Sequence, residues 1–121
     1  MLNLTIETVA EVAVIRCAGR IVRSDAAYLL REAVVSQIGA RAIVLDLTAV
    51  EAIEGGGLGM LVFLQRLTSD YGTPFKLFNP TRQVRDKLRR VTTNLEVDIA
   101  SIPSVVALTA GEQSQPNALY R

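Results

Sequence analysis

The residues of this sequence best placed to do chemistry lie in the stretch Glu54-Gly55-Gly56-Gly57-Leu58-Gly59. Consecutive glycines between a strand-like and a helix-like segment let the backbone come close to a ligand, and oriented amides at a helix start attract anions. A phosphate loop of this kind needs a lysine followed by serine or threonine at the helix start, and Leu58-Gly59-Met60 stands there instead. A dinucleotide fingerprint needs an acidic residue about 20 residues further on, where Tyr71 to Lys76 lies. What remains is a tight turn that needs unusual dihedrals and carries no side chain to obstruct an approaching surface. Asp46 and Glu54 are expected near the same sheet edge, and a turn or capping role accounts for each.

Other catalytic chemistry is poorly provided for. The sequence has no histidine, which removes the commonest general base, metal ligand and triad partner together. Cys17 is the lone cysteine and sits in an apolar strand-like run, so it reads as a buried structural thiol, with no disulfide framework or metal cluster. No acid, base and nucleophile set can be assembled, so the expectation is a non-enzyme with no catalytic residue, no metal and no cofactor. The net charge of +1 supplies no overall field toward nucleic acid or an anionic membrane. Arg82, Arg85, Lys87, Arg89 and Arg90 share one helical segment with the single acid Asp86. Without interleaved aromatics they read as a solvated face that could contact an acidic protein, and no nucleic acid is expected. The longest apolar run, Leu58 to Leu64, is far too short to span a bilayer, and Leu2 to Val9 alternates like a strand instead of resembling a signal. A cytoplasmic protein without membrane insertion is the expectation.

The elements that position the glycine turn follow from periodicity. Leu2, Leu4 and Ile6 alternate with polar residues, a turn falls near Ala10-Glu11, and Val12 to Ala18 forms a more central strand ended by Gly19. Ser24 is the expected N-cap of a helix with Asp25 in its first turn and Ala27, Leu30, Val34 and Ile38 on one stripe. Ala42 to Leu47 reads as a strand, with a second short apolar piece from Val50 to Ile53. A helix from Leu58 to about Tyr71 ends at Gly72, and Pro74 prevents its continuation. Phe75 to Phe78 is a strand, and Pro80-Thr81 starts a helix with Val84, Leu88 and Val91 inside and Asn94 as terminator. Val97 to Ile102 is a last strand and Pro103 to Ala110 a short last helix. The expected fold class is α/β: a mixed sheet of about five strands with about four helices, packed mainly on one face. Residues 1–111 form the domain and residues 112–121 a polar tail. The exposed sheet edge permits a weak homodimer.

Winding the glycine-led helix at 100° per residue places Met60, Phe63, Leu64 and Leu67 inward, with Leu61 at the margin. Leu58 and Val62 then fall on the opposite side beside Gln65 and Arg66. An apolar pair there, next to a bare loop, makes a docking patch.

Val44-Leu45-Asp46-Leu47-Thr48, then Ile53, then Gly57-Leu58-Gly59-Met60-Leu61 resembles the core signature of the sulfate transporter and anti-sigma factor antagonist (STAS) domain. Ile15 to Ile21 looks like that family's second strand and turn, and Phe78-Asn79-Pro80 with Val84 and Leu88 like its next strand-to-helix passage. The resemblance covers roughly residues 2 to 110. It implies a stand-alone partner-switching regulator that binds an anti-sigma factor which is also a serine kinase. The family pattern at the turn is Asp-Ser-Ser-Gly-Leu-Gly with the second serine as phosphoacceptor. Gly56 occupies that phosphoacceptor-equivalent position, so the off-switch is absent there. After Arg20 the family often has an acid two positions on, whereas Val22 and Arg23 stand here. The resemblance thus implies a partner-binding surface of Val22, Arg23, Glu54, Gly55, Gly56, Gly57, Leu58, Val62 and Arg66. The alternative it leaves is a structural subunit of a larger sensory assembly or lipid-transport complex.

Overall fold

The computed structural model describes residues 2–91, 99 and 100. The chain opens with a hairpin of β1 (Leu2–Val9) and β2 (Val12–Ile21), paired antiparallel from Leu2↔Gly19 to Val9↔Val12. Ala10 and Glu11 both take positive φ, 52° and 67°, the primed-turn geometry that matches the twist of the strands. Arg41 holds this tip: its backbone N–H donates to the Glu11 carbonyl at 2.9 Å, and its guanidinium donates to the Ala10 carbonyl at 3.3–3.4 Å.

Helix α1 (Ser24–Val35) then crosses to β3 (Ala42–Ile53), α2 (Gly56–Asp70) to β4 (Phe75–Phe78), and α3 (Arg82–Val91) to the two-residue β5 (Ile99–Ala100). β2, β3, β4 and β5 run parallel, and the sheet order is β1-β2-β3-β4-β5. The main core lies between the sheet and the helices. It joins Ile15, Leu45 and Leu77 from the strands to Leu30 and Val34 of α1, Leu61 and Leu64 of α2, and Val84 and Leu88 of α3. All three described helices therefore cover one face of the sheet, as a run of crossovers of one hand requires. The opposite face holds a smaller cluster of Val12, Val14, Ala42 and Val44, against which Phe78 packs.

Several boundaries differ from the sequence-based expectation. β2 does not end at Gly19: that residue, at φ 114°, lies within a strand that continues to Ile21 with register shifts against β3. The pieces Ala42 to Leu47 and Val50 to Ile53 are one strand, with a register shift against β2 between the partners of Arg16 and Ala18. Ser24 is the first residue of α1, not its cap. Arg23 is the N-cap, in extended conformation and without a side-chain cap bond. Thr81 does cap α3, its Oγ1 accepting from the Val84 N–H at 3.3 Å. The fourth expected helix, the Asn94 terminator and the residues 112–121 tail lie outside the described residues.

Candidate functional site

The glycine turn is built at the C-terminal end of β3, beside that of β2. The Glu54 N–H donates to the Ile21 carbonyl at 3.2 Å, so the β3–α2 turn is tied to the end of β2. Gly55 caps α2 at φ 51° and ψ −119°, a conformation that L-residues resist. The Gly57 N–H donates to the Glu54 carbonyl at 2.9 Å and the Gly59 N–H to the Gly55 carbonyl at 3.1 Å, which closes the first turn.

The consecutive glycines differ in kind. A β-carbon on Gly57 would sit 1.9 Å from the Ile21 carbonyl oxygen, so only glycine fits against β2 there. A β-carbon on Gly56 would meet nothing within 4 Å, and its φ is not in the left-handed region. Gly56 is exposed and has room for a side chain.

Gly57 also sets the phase of α2. With Gly57 pressed inward, the buried positions are Gly57, Leu61, Leu64 and Thr68. Leu61 is thus central and not marginal, and Phe63, expected inside, is 45% exposed. Leu58 and Val62 are not on a fully wet face: both are half-buried, and Leu58 packs against the main core. They flank the inner stripe, with Arg66 exposed one turn beyond Val62. Thr68 tolerates burial because its Oγ1 donates to the Leu64 carbonyl at 2.8 Å.

Val22 and Arg23 link β2 to α1, Val22 half-buried and Arg23 exposed. Arg23 Nε lies 3.4 Å from Asp25 Oδ1, with both side chains more than three-quarters exposed. Through Ile21 the structure brings the 22–23 segment next to the 54–57 turn, while Arg66 is set back along α2. Lys87, which the sequence placed only in a basic group, reaches the site from α3: its Nζ is 3.2 Å from Glu54 Oε2. Its i+3 relation to Val84 and neighbourhood to Leu88 show it at the edge of α3's inner stripe, which was the available signal.

A polar ladder crosses the sheet face opposite the helices. Arg16 pairs with Glu7 and lies 3.9 Å from Asp46. Asp46 Oδ1 accepts from the Thr48 N–H at 2.9 Å and Thr48 Oγ1 at 2.6 Å, and Asn79 Nδ2 donates to Thr48 Oγ1 at 3.0 Å. Asp46 is thus an organising acid within β3, remote from the Glu54–Lys87 pair. Behind it Cys17 is 3% exposed, and burial, with the Asp46 charge second, pushes its thiol up to about 12. Among the described residues no group of three or more His, Cys, Asp or Glu is placed to hold a metal ion, and no helix is long and apolar enough to cross a membrane.

A hairpin-led, otherwise parallel sheet with helices on one face and a glycine turn leading into α2 is the architecture of the STAS domain. The chain belongs to that family, whose model matches residues 3–105. Its fold is similar to a putative anti-sigma factor antagonist of Thermotoga maritima, with 23% identity and a TM-score of 0.75 over 88% of this chain and 93% of that one. It is similar to RsbS of Moorella thermoacetica, with 17% identity and a TM-score of 0.72 over 93% and 99% of the two chains. The murine anion transporter Slc26a9 contains a similar fold, at 17% identity and a TM-score of 0.70, covering 87% of this chain and 18% of the transporter. A search of curated proteins finds no match.

Proposed function

We propose that this STAS domain is an anti-sigma factor antagonist that works by binding an anti-sigma factor/serine kinase in a partner-switching pathway, and that it cannot be phosphorylated at the usual place. The observation that carries this reading is Gly56: exposed, in open space, and at the position of the phosphoacceptor in the pattern that this turn resembles. Packing does not demand a glycine there, in contrast to Gly57. A phosphate would add roughly −1.5 to −2 charges to the surface. With a hydrogen as the side chain that charge cannot be installed, so binding is not switched off by this route. The partner surface comprises Val22, Arg23, Glu54 to Leu58, Val62 and Arg66.

The test is a comparison of the wild-type chain with Gly56→Ser, each mixed with an anti-sigma factor kinase and ATP and analysed by intact-mass spectrometry. The expected outcome is a kinase complex for the wild type with no mass change, and one added phosphate for Gly56→Ser. Stoichiometric phosphorylation of the wild type on any other hydroxyl overturns the reading.

The similar fold within Slc26a9 favours a second reading, in which the domain is a structural part of a larger assembly. Elution of the native protein in a large particle, with no kinase bound, would select it.

A further inference from the structure

Beside the glycine turn, between the open end of the β1–β2 hairpin and the start of α1, lies a cleft of about 500 Å³. Its walls are Leu2, Val22, Ala26 and Leu29, and two guanidinium groups, Arg20 and Arg23, stand among them with Asn3 and a single carboxylate, Asp25. Leu29 is 49% exposed, an aliphatic side chain left without cover at the cleft wall. Arg20 is exposed and makes no ion pair among the described residues. Among the described residues the ion pair of Arg23 is the solvent-exposed contact with Asp25, a weak pairing that a second carboxylate can displace. The cleft therefore combines an apolar floor with a net positive lining, two guanidinium groups to one carboxylate, of which Arg20 is unpaired among the described residues.

We infer that this cleft receives an acidic segment of the protein partner, seating an apolar side chain among Leu2, Val22, Ala26 and Leu29 and a carboxylate between Arg20 and Arg23. The class of partner rests on the reading above; the chemistry of the segment rests on the cleft. Charge complementarity selects a carboxylate, since the cleft sets two guanidinium groups against the one carboxylate of Asp25 and a lysine or arginine would add to that positive excess. The apolar floor selects a peptide over a free inorganic anion, which would leave those walls uncovered. At this size the cleft accommodates a few side chains, within the range of about 300–1,000 Å³ usual for ligand sites. Val22 and Arg23 are shared with the partner surface proposed above, so one bound protein can cover both. Leu2, Arg20, Ala26 and Leu29 extend that surface around the hairpin end, away from α2.

The experiment is titration of the ¹⁵N-labelled full chain with an octapeptide alternating leucine and glutamate, followed by amide chemical shifts. The same octapeptide with lysine for glutamate, and inorganic phosphate, are the comparison probes. The acidic peptide is expected to move amides of residues 2, 20–23, 26 and 29 in a saturable way, and the lysine peptide to leave them in place. Arg20→Glu should weaken the acidic peptide at least ~10-fold while the spectrum keeps its native dispersion. Arg89→Glu, on the exposed side of α3, should leave it unchanged. Equal binding by the two peptides, shifts confined to α3, complete displacement by phosphate, or an unaltered affinity in Arg20→Glu would each overturn the inference. Because no kinase is used, the two proposals fail separately. Peptide binding without a kinase complex sinks the functional reading, and a kinase complex with a cleft indifferent to the acidic peptide sinks this one.

Discussion

Gly57 and Ile21 touch backbone to backbone: a β-carbon on Gly57 would lie 1.9 Å from the Ile21 carbonyl oxygen and 2.8 Å from its carbonyl carbon. This contact locks the start of α2 to the end of β2. It thereby fixes both the rotation of α2 and the distance between the turn that carries Gly56 and the segment that carries Arg23.

Gly57→Ala should therefore destabilise the domain by ~1–3 kcal/mol or more, since backbone and not a flexible side chain must yield. Gly56→Ala has open space and unstrained dihedrals, and should fall between neutral and ~1 kcal/mol stabilising through the unfolded chain's lost freedom. Urea denaturation of the two variants measures the contrast, and equal effects would refute the distinction between the glycines.

Leu58 and Val62 should separate stability from recognition. Leu58 packs against the main core, so Leu58→Asp should lower the midpoint of thermal unfolding as well as weaken a kinase complex. Val62 lies further from the inner stripe, and Val62→Asp should weaken the complex with a smaller thermal effect. Calorimetric binding beside thermal melts of each variant reads both quantities.

Cys17 should resist thiol reagents in the folded protein. Its thiol is raised from 9.0 to about 12, chiefly by burial, so almost no thiolate exists near neutral pH and access is closed as well. The folded state holds this proton more tightly than the unfolded state. The corresponding stability is complete below pH 9.0 and is lost as pH rises toward about 12. Reaction with a disulfide reagent should follow unfolding in urea, and Cys17→Ala should flatten the alkaline loss of stability.

Asp46→Ala removes the acceptor of both Thr48 donors and the second carboxylate beside Arg16. Because Thr48 is exposed, water replaces part of the loss, and ~1–2 kcal/mol of destabilisation is expected. Thr48→Val should cost less, since Asp46 keeps the backbone N–H. Guanidinium titrations compare the two.

Much of the architecture was legible because the signals were local. Alternation in Leu2 to Ile6 marked a strand with one wet face, and Val84 and Leu88 marked the inner side of α3, both buried as expected. The phase of α2 was not legible, since apolar content assigned Phe63 to the interior, whereas a contact between Gly57 and a residue 36 positions earlier sets the rotation. Leu61 and Thr68 went inside with it. Ser24 looked like a cap by residue type, but the chain turns one residue earlier, at Arg23. The glycine turn was visible as a motif, but the difference between Gly56 and Gly57 exists only once β2 lies beside it. The cleft at Arg20 gathers residues from β1, β2 and α1, and no spacing along the chain announces it.

The strip of Glu7, Arg16, Asp46, Thr48 and Asn79 has a consequence for folding fidelity. Neighbouring strand positions point to opposite sides of the sheet, so sliding β2 or β3 by a single residue would drive Arg16 or Asp46 into the greasy layer beneath the helices. Each one-residue slip of these strands thus carries a buried, unmatched ion. The charges act as a proofreading device that admits one alignment and rejects its neighbours.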